Sequence, residues 1–144
     1  MNMIEVKAAD LSGTALDWAT FCAVFSGMQP TIRKIESVTI GRKPFIKPLT
    51  FPSAVYLTYS GAYGVECDWN PSSAWEDGGP LIEKYQVMIT YHNAPDRTPL
   101  ATLASTHPAF ECGETVLIAA CRAIVAAKLG DTVQVPAELV EVVQ

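Results

Sequence analysis

The sequence lacks any Cys-x-x-Cys pair, and its four cysteines, Cys22, Cys67, Cys112 and Cys121, stand far apart. That spacing suggests neither a zinc site nor a disulfide framework, so the four are expected to be buried thiols. Histidine is nearly absent, and neither His92 nor His107 has a serine or cysteine at a spacing that signals a triad. No dinucleotide-type glycine pattern, nucleophile elbow or Gly-Lys-Ser/Thr loop occurs. No apolar run reaches the roughly 18 residues of a membrane span, and Glu5 and Asp10 stand where a secretory leader would be basic and then apolar. The chain is therefore expected to stay in the compartment where it is made. Basic charge is also scarce, with 10 Lys and Arg against 15 Asp and Glu for a net charge of −5. This sign opposes the phosphate neutralisation that nucleic-acid binders draw on, which disfavours a nucleic-acid partner. The basic cluster Arg33, Lys34, Arg42, Lys43 and Lys47 is read as a solvated face.

What is present suits one folded domain over 1–144. A chain of 144 residues buries roughly two-thirds of its unfolded surface. Its 49% apolar and 17% charged residues exclude the low-hydrophobicity composition of disordered chains. Residues 3–8 alternate as a half-buried strand does. A helix follows, with Ser12 or Thr14 as its cap, Asp17 in its first turn, Leu16, Ala19, Ala23 and Val24 at helical spacing, and Gly27 as its stop. Residues 28–67 form a variable β-rich excursion, and two or three strands are expected over 31–66. Pro44, Pro48 and Pro52 make part of it irregular or an edge. Residues 86–92 and 99–105 read as strands joined by a turn over 93–97.

The segment from Trp69 to Pro80 is dense in turn formers yet carries Trp69 and Trp75. Pro80 is expected in the first turn of a short helix, with Gly78 and Gly79 ahead of it. Residues 114–129 form the clearest helix, ending at Gly130 with Lys128 in its last turn. Nearly every position is apolar or small, so it should be covered on more than one side. Leu117, Cys121, Ile124 and Val125 form its large stripe, expected on the sheet. Thr115, Ala119, Arg122 and Ala126 form a slimmer stripe that could meet another helix or a second subunit, which makes a homodimer one expectation. The fold class expected is α+β, a mostly antiparallel sheet packed against an N-terminal helix and a long apolar C-terminal helix.

Three blocks carry a resemblance. Residues 11–19, Leu-Ser-Gly-Thr-Ala-Leu-Asp-Trp-Ala, residues 70–84, which contain Trp75-Glu76-Asp77-Gly78-Gly79-Pro80, and the closing stretch 113–139 with its Lys-Leu-Gly-Asp and Val-Gln-Val-Pro resemble the small phage and prophage proteins of the NinX type. They also share the helix, sheet, helix pattern of the phage domains described as an ABA sandwich. Ala74 stands where that family usually has Asp, and Val116 where it usually has Pro. The resemblance implies a phage or prophage origin and the cytoplasm of a bacterial host. It implies no activity, no catalytic residue and no cofactor.

Trp69, Trp75, Glu76, Asp77, Gly78, Gly79 and Arg122 are the candidate ligand-binding residues. Aromatic rings, carboxylates and glycine N–H groups suit a flat polar ligand, and an arginine in an apolar helix needs an anionic partner. The competing reading is structural, with Trp75 plugging the core and Arg122 paired to Asp17 or Asp77. Glycines at a helix start could cradle an anion, but Glu76 and Asp77 would repel it. Asp68, Glu76 and Asp77 read as solvated acids rather than metal ligands. The function expected is a non-enzymatic accessory module binding a host or phage protein or a small polar ligand. The alternatives are sequestration of a host defence nucleotide and an enzyme using the loop carboxylates.

Overall fold

The computed structural model describes residues 2–41, 49–92, 97–103 and 107–140. Arg42, Lys43, Lys47, Pro44, Pro48 and most of the expected 93–97 turn lie outside these residues. The alternating opening segment forms β1 (Met3–Lys7), and a 3₁₀ turn over Ala8–Asp10 leads to α1 (Gly13–Val24). Next come β2 (Thr31–Ile35), β3 (Val38–Ile40), β4 (Leu49–Phe51), β5 (Ala54–Ser60) and β6 (Glu66–Asp68). Then follow α2 (Trp75–Lys84), β7 (Met88–Tyr91), β8 (Pro99–Leu103), β9 (His107–Cys112), α3 (Val116–Leu129), β10 (Thr132–Pro136) and the single turn α4 (Ala137–Val140).

The protein is α+β, and all strand pairs among the described residues are antiparallel. Among the described residues the strands fall into four small sheets rather than one: β1-β10, β2-β5-β6, β3-β4 and β7-β8-β9. β1 and β10 bring the two ends of the described chain together, from Met3 opposite Pro136 to Lys7 opposite Thr132. Among its described residues the 31–66 region holds four strands and the start of a fifth, more than the two or three expected; one part of this is that Glu36 and Ser37 separate β2 from β3. In the β3-β4 hairpin Val38 faces Phe51 and Ile40 faces Leu49. All four of these apolar side chains are exposed.

α3 is the hub. It packs on β8 and β9, and also against α1 and α2. Ala119, Ala120, Ala123 and Ala126 are buried along it, and such small side chains let a neighbouring backbone come close. Direct helix-on-helix packing between α1 and α3, instead of a single sheet dividing them, follows from this. Thr115 caps α3, its hydroxyl oxygen accepting from the Ile118 N–H at 3.2 Å. Gly130 ends the helix at φ +99°, a conformation that favours glycine.

α1 is buried along most of its length, and its Thr20 hydroxyl is satisfied by the Leu16 carbonyl at 2.7 Å. Asp17 sits beyond the first turn expected for it, since the helix opens at Gly13. Of the cysteines expected to be buried, Cys121 is; Cys22 and Cys67 are half-buried, and Cys112 is exposed. Their positions on the edges of α1 and the strands decide this, not their type. Arg33 and Lys34 pair across the surface with Glu66 and Glu138.

Candidate functional site

The Trp69 turn is built by committed backbone donors. The Trp69 N–H donates to the Leu57 carbonyl at 2.9 Å, extending the link to β5. The Asn70 N–H donates to the Asp77 carboxylate at 3.0 Å, and the Ser72 N–H to the Asp17 carboxylate at 2.9 Å. The Ser73 and Ala74 N–H groups both donate to the Asn70 carbonyl. Pro71 has no N–H to place. The turn is therefore held rigid, and a ligand must be read by its side chains, not by free amides.

Trp69 anchors this turn. Its indole N–H donates to the Asp17 carbonyl at 2.8 Å, and its ring is met by Phe21, Phe25 and Tyr59 with centroids 5.4, 5.8 and 5.7 Å away. These edge-on contacts are the favoured aromatic geometry. The core plug is thus Trp69, whereas Trp75, expected in that role, is 61% exposed on the first turn of α2.

Beside the turn opens a cleft of about 330 Å³ between the start of α1, β5 and residues 68–73. Asp17, Tyr56, Asp68, Asn70, Ser72 and Thr14 supply its polar wall. Asp17 is only 6% exposed, and burial pushes its carboxyl up from 3.8 to about 6; the Ser72 hydrogen bonds pull it down, and nearby Asp77 raises it. Such a group can hold or release a proton near neutral pH. Among the described residues, no histidine, cysteine, lysine or arginine lines the cleft to act with it.

The sequence-level candidates do not converge on one concavity. Trp69 lines the cleft, and Asp77 braces the turn from behind through Asn70. Glu76 is exposed on α2. Gly78 and Gly79 lie inside α2, not ahead of it, because the helix starts at Trp75 and carries Pro80 in its interior. Their amides cannot form the anion cradle considered from the sequence. A Cβ on Gly78 would strike the Pro71 carbonyl oxygen and Leu117, so that glycine serves the close approach of α2 to the turn and to α3.

Arg122 belongs elsewhere. Its Nε donates to the Leu11 carbonyl at 2.9 Å and its Nη1 to the Cys112 carbonyl at 2.8 Å. The expected pairing with Asp17 or Asp77 does not occur. Asp17 is committed to Ser72 and Asp77 to Asn70, and neutral carbonyls orient the guanidinium instead.

Asp17, Thr14 and Tyr56 were not singled out as ligand-binding residues from the sequence. A signal existed for Asp17: it is an acid inside the otherwise apolar run Ala15-Leu16-Asp17-Trp18-Ala19, and a helix buried all round takes its acids with it.

A search of curated proteins returned no match. A family model described as Bacteriophage P22, NinX matches residues 7–128. That span holds α1, the Trp69 turn and α2, and α3 up to Lys128. The chain belongs to the Bacteriophage P22 NinX family.

Proposed function

We propose that this phage protein is a non-enzymatic accessory module that binds a small polar ligand in the cleft beside Trp69. The observation that carries the reading is the Asp17 carboxyl, nearly buried, lining the cleft and, among the described residues, held by Ser72 through its backbone N–H and its side chain. The volume of about 330 Å³ lies at the small end of the range for ligand sites. Asp17 and Asp68 line it, and among the described residues no lysine, arginine or histidine does, so its chemistry suits a neutral or cationic ligand rich in hydrogen-bond donors. A phosphorylated nucleotide is disfavoured in this cleft by the same charge argument.

The test is protein purified from phage-infected cells, heated to release bound small molecules, and the same preparation of Asp17→Asn. A donor-rich compound recovered in stoichiometric amount from the wild type and depleted from the variant is the expected result. Nothing released, together with no shift of the Trp69 indole resonance on adding putrescine or nicotinamide, sinks the reading.

A second reading, docking to a host or phage protein, is favoured by one observation: the apolar Val38, Ile40, Leu49 and Phe51 of the β3-β4 hairpin are each about half exposed. Co-purification from infected cells that is lost when Ile40 and Leu49 are changed to Ser separates it from ligand capture.

A further inference from the structure

We propose that a second pocket, on the opposite end of Arg122's element from Lys128, is an oxyanion site in which Arg97 and Arg122 hold the phosphate or carboxylate group of a small ligand. The pocket has a volume of about 320 Å³ and lies between the Arg97–Pro99 segment ahead of β8 and the Cys112–Glu114 turn that leads into α3.

The argument starts from Arg122. Its guanidinium projects from a helix whose other charged residue is Lys128 in the last turn, and is held by two carbonyls, those of Leu11 and Cys112. Both are neutral acceptors, so they orient the charge without neutralising it. Among the described residues no carboxylate forms an ion pair with it, and its Nη2 donates no hydrogen bond there. A half-buried cation left in this state is costly unless an anion or water meets it.

Arg97 lines the same pocket, is exposed, and has no ion-pair partner among the described residues. Two arginines lining one concavity supply the donors that recognise planar or tetrahedral oxyanions, through paired, charge-assisted hydrogen bonds. The walls are tied together, since the Gly113 N–H donates to the Pro99 carbonyl at 3.3 Å. The floor is firm as well: a Cβ on Gly113 would lie 2.6 Å from the Ala119 nitrogen and 2.8 Å from Ile118 Cγ2. Thr98 adds a hydroxyl to the lining.

Two titratable groups of other character also line the pocket, the exposed Cys112 and the exposed Glu114. Glu114 has the sign of the ligand and weakens its binding, so its neutralisation has a defined direction. The site is independent of the Asp17 cleft, whose lining contains none of these residues.

The experiment is a titration of the full chain, followed through the arginine Nε–Hε resonances, with sodium phosphate and separately with sodium malonate against sodium chloride at matched ionic strength. Saturable shifts of Arg97 and Arg122 with phosphate, malonate or both are expected, and the one that saturates names the group bound. Arg97→Gln, which leaves the Arg122 clamp untouched, is expected to weaken binding by about ten-fold or more, the worth of a lost charge-assisted donor pair. Glu114→Gln is expected to tighten it. Shifts no larger than those with chloride, or an Arg97→Gln protein that binds as tightly as the wild type, overturn the proposal.

Discussion

The Ser72 amide donates to the Asp17 carboxylate at 2.9 Å across 55 residues of sequence. This bond joins α1 to the turn ahead of α2, and so joins two of the three blocks by which the sequence resembles its family. Trp69, whose indole meets the Asp17 carbonyl, makes the second half of the same clasp. The clasp is also one wall of the cleft, so stability and any binding there are coupled through Asp17.

Asp17 makes stability depend on pH in a defined direction. Its carboxyl titrates at about 6 in the folded protein against an ordinary value of 3.8, so between these values the folded state holds the proton that the unfolded chain has released. The stabilisation from the neutral acid is complete below the lower value and is lost as pH rises through the upper one. Its size is about 3 kcal/mol at most. Thermal denaturation of wild type and Asp17→Asn should show the wild type losing ground to the variant between about pH 4 and pH 7. Parallel curves would contradict the buried placement of this carboxyl.

The two buried tryptophans should respond differently to the same substitution. Trp69 donates its indole N–H to the Asp17 carbonyl, whereas the Trp18 indole N–H has no partner among the described residues. Trp→Phe removes similar area at both sites, so the difference reports the hydrogen bond. Trp69→Phe is expected to cost about 1 kcal/mol more than Trp18→Phe, read from urea midpoints.

Gly78→Ala should destabilise by about 1–3 kcal/mol, the usual cost of overpacking. The added methyl meets the Pro71 carbonyl, which is backbone, and, at 2.7 Å, the Cδ2 methyl of the buried Leu117. Gly79→Ala, where the nearest atom is Trp75 Cε3 at 3.6 Å, is the control. Equal melting temperatures for the two variants would argue against the close approach of α2 to the Pro71 turn.

Thiol labelling should follow burial and acidity together. Cys112 is exposed, while burial pushes Cys121 up to about 12 and Cys22 up to about 11. Since the thiolate is the reacting form, iodoacetamide at pH 8 should modify Cys112 first and Cys121 only after unfolding, as checked by peptide mapping. Early modification of Cys121 would place α3 outside the core.

Local signals in the sequence carried much of the fold. The apolar run with Gly130 at its end marked α3, and the Ser12–Thr14 start with helical spacing marked α1. Alternation marked β1. What escaped was settled by partners distant in the chain. β9 and β10 were not anticipated because each is defined by its pairing, β9 with β8 and β10 with β1. Pro80 suits a first helical turn and so points to a later start for α2, yet it is carried inside the helix begun by Trp75.

Composition and periodicity by themselves determined that this chain folds as α+β around a nearly all-apolar helix, because apolar spacing, caps and helix-ending glycines act over a few residues. Only the tertiary structure decided that the described strands divide among four sheets, that Trp69 is buried while Trp75 is exposed, and that Asp17 takes Ser72 as its partner while Arg122 takes two carbonyls. The reason is physical. Burial and ionisation are set by which groups arrive from elsewhere in the chain, and no spacing along the sequence encodes that arrival directly.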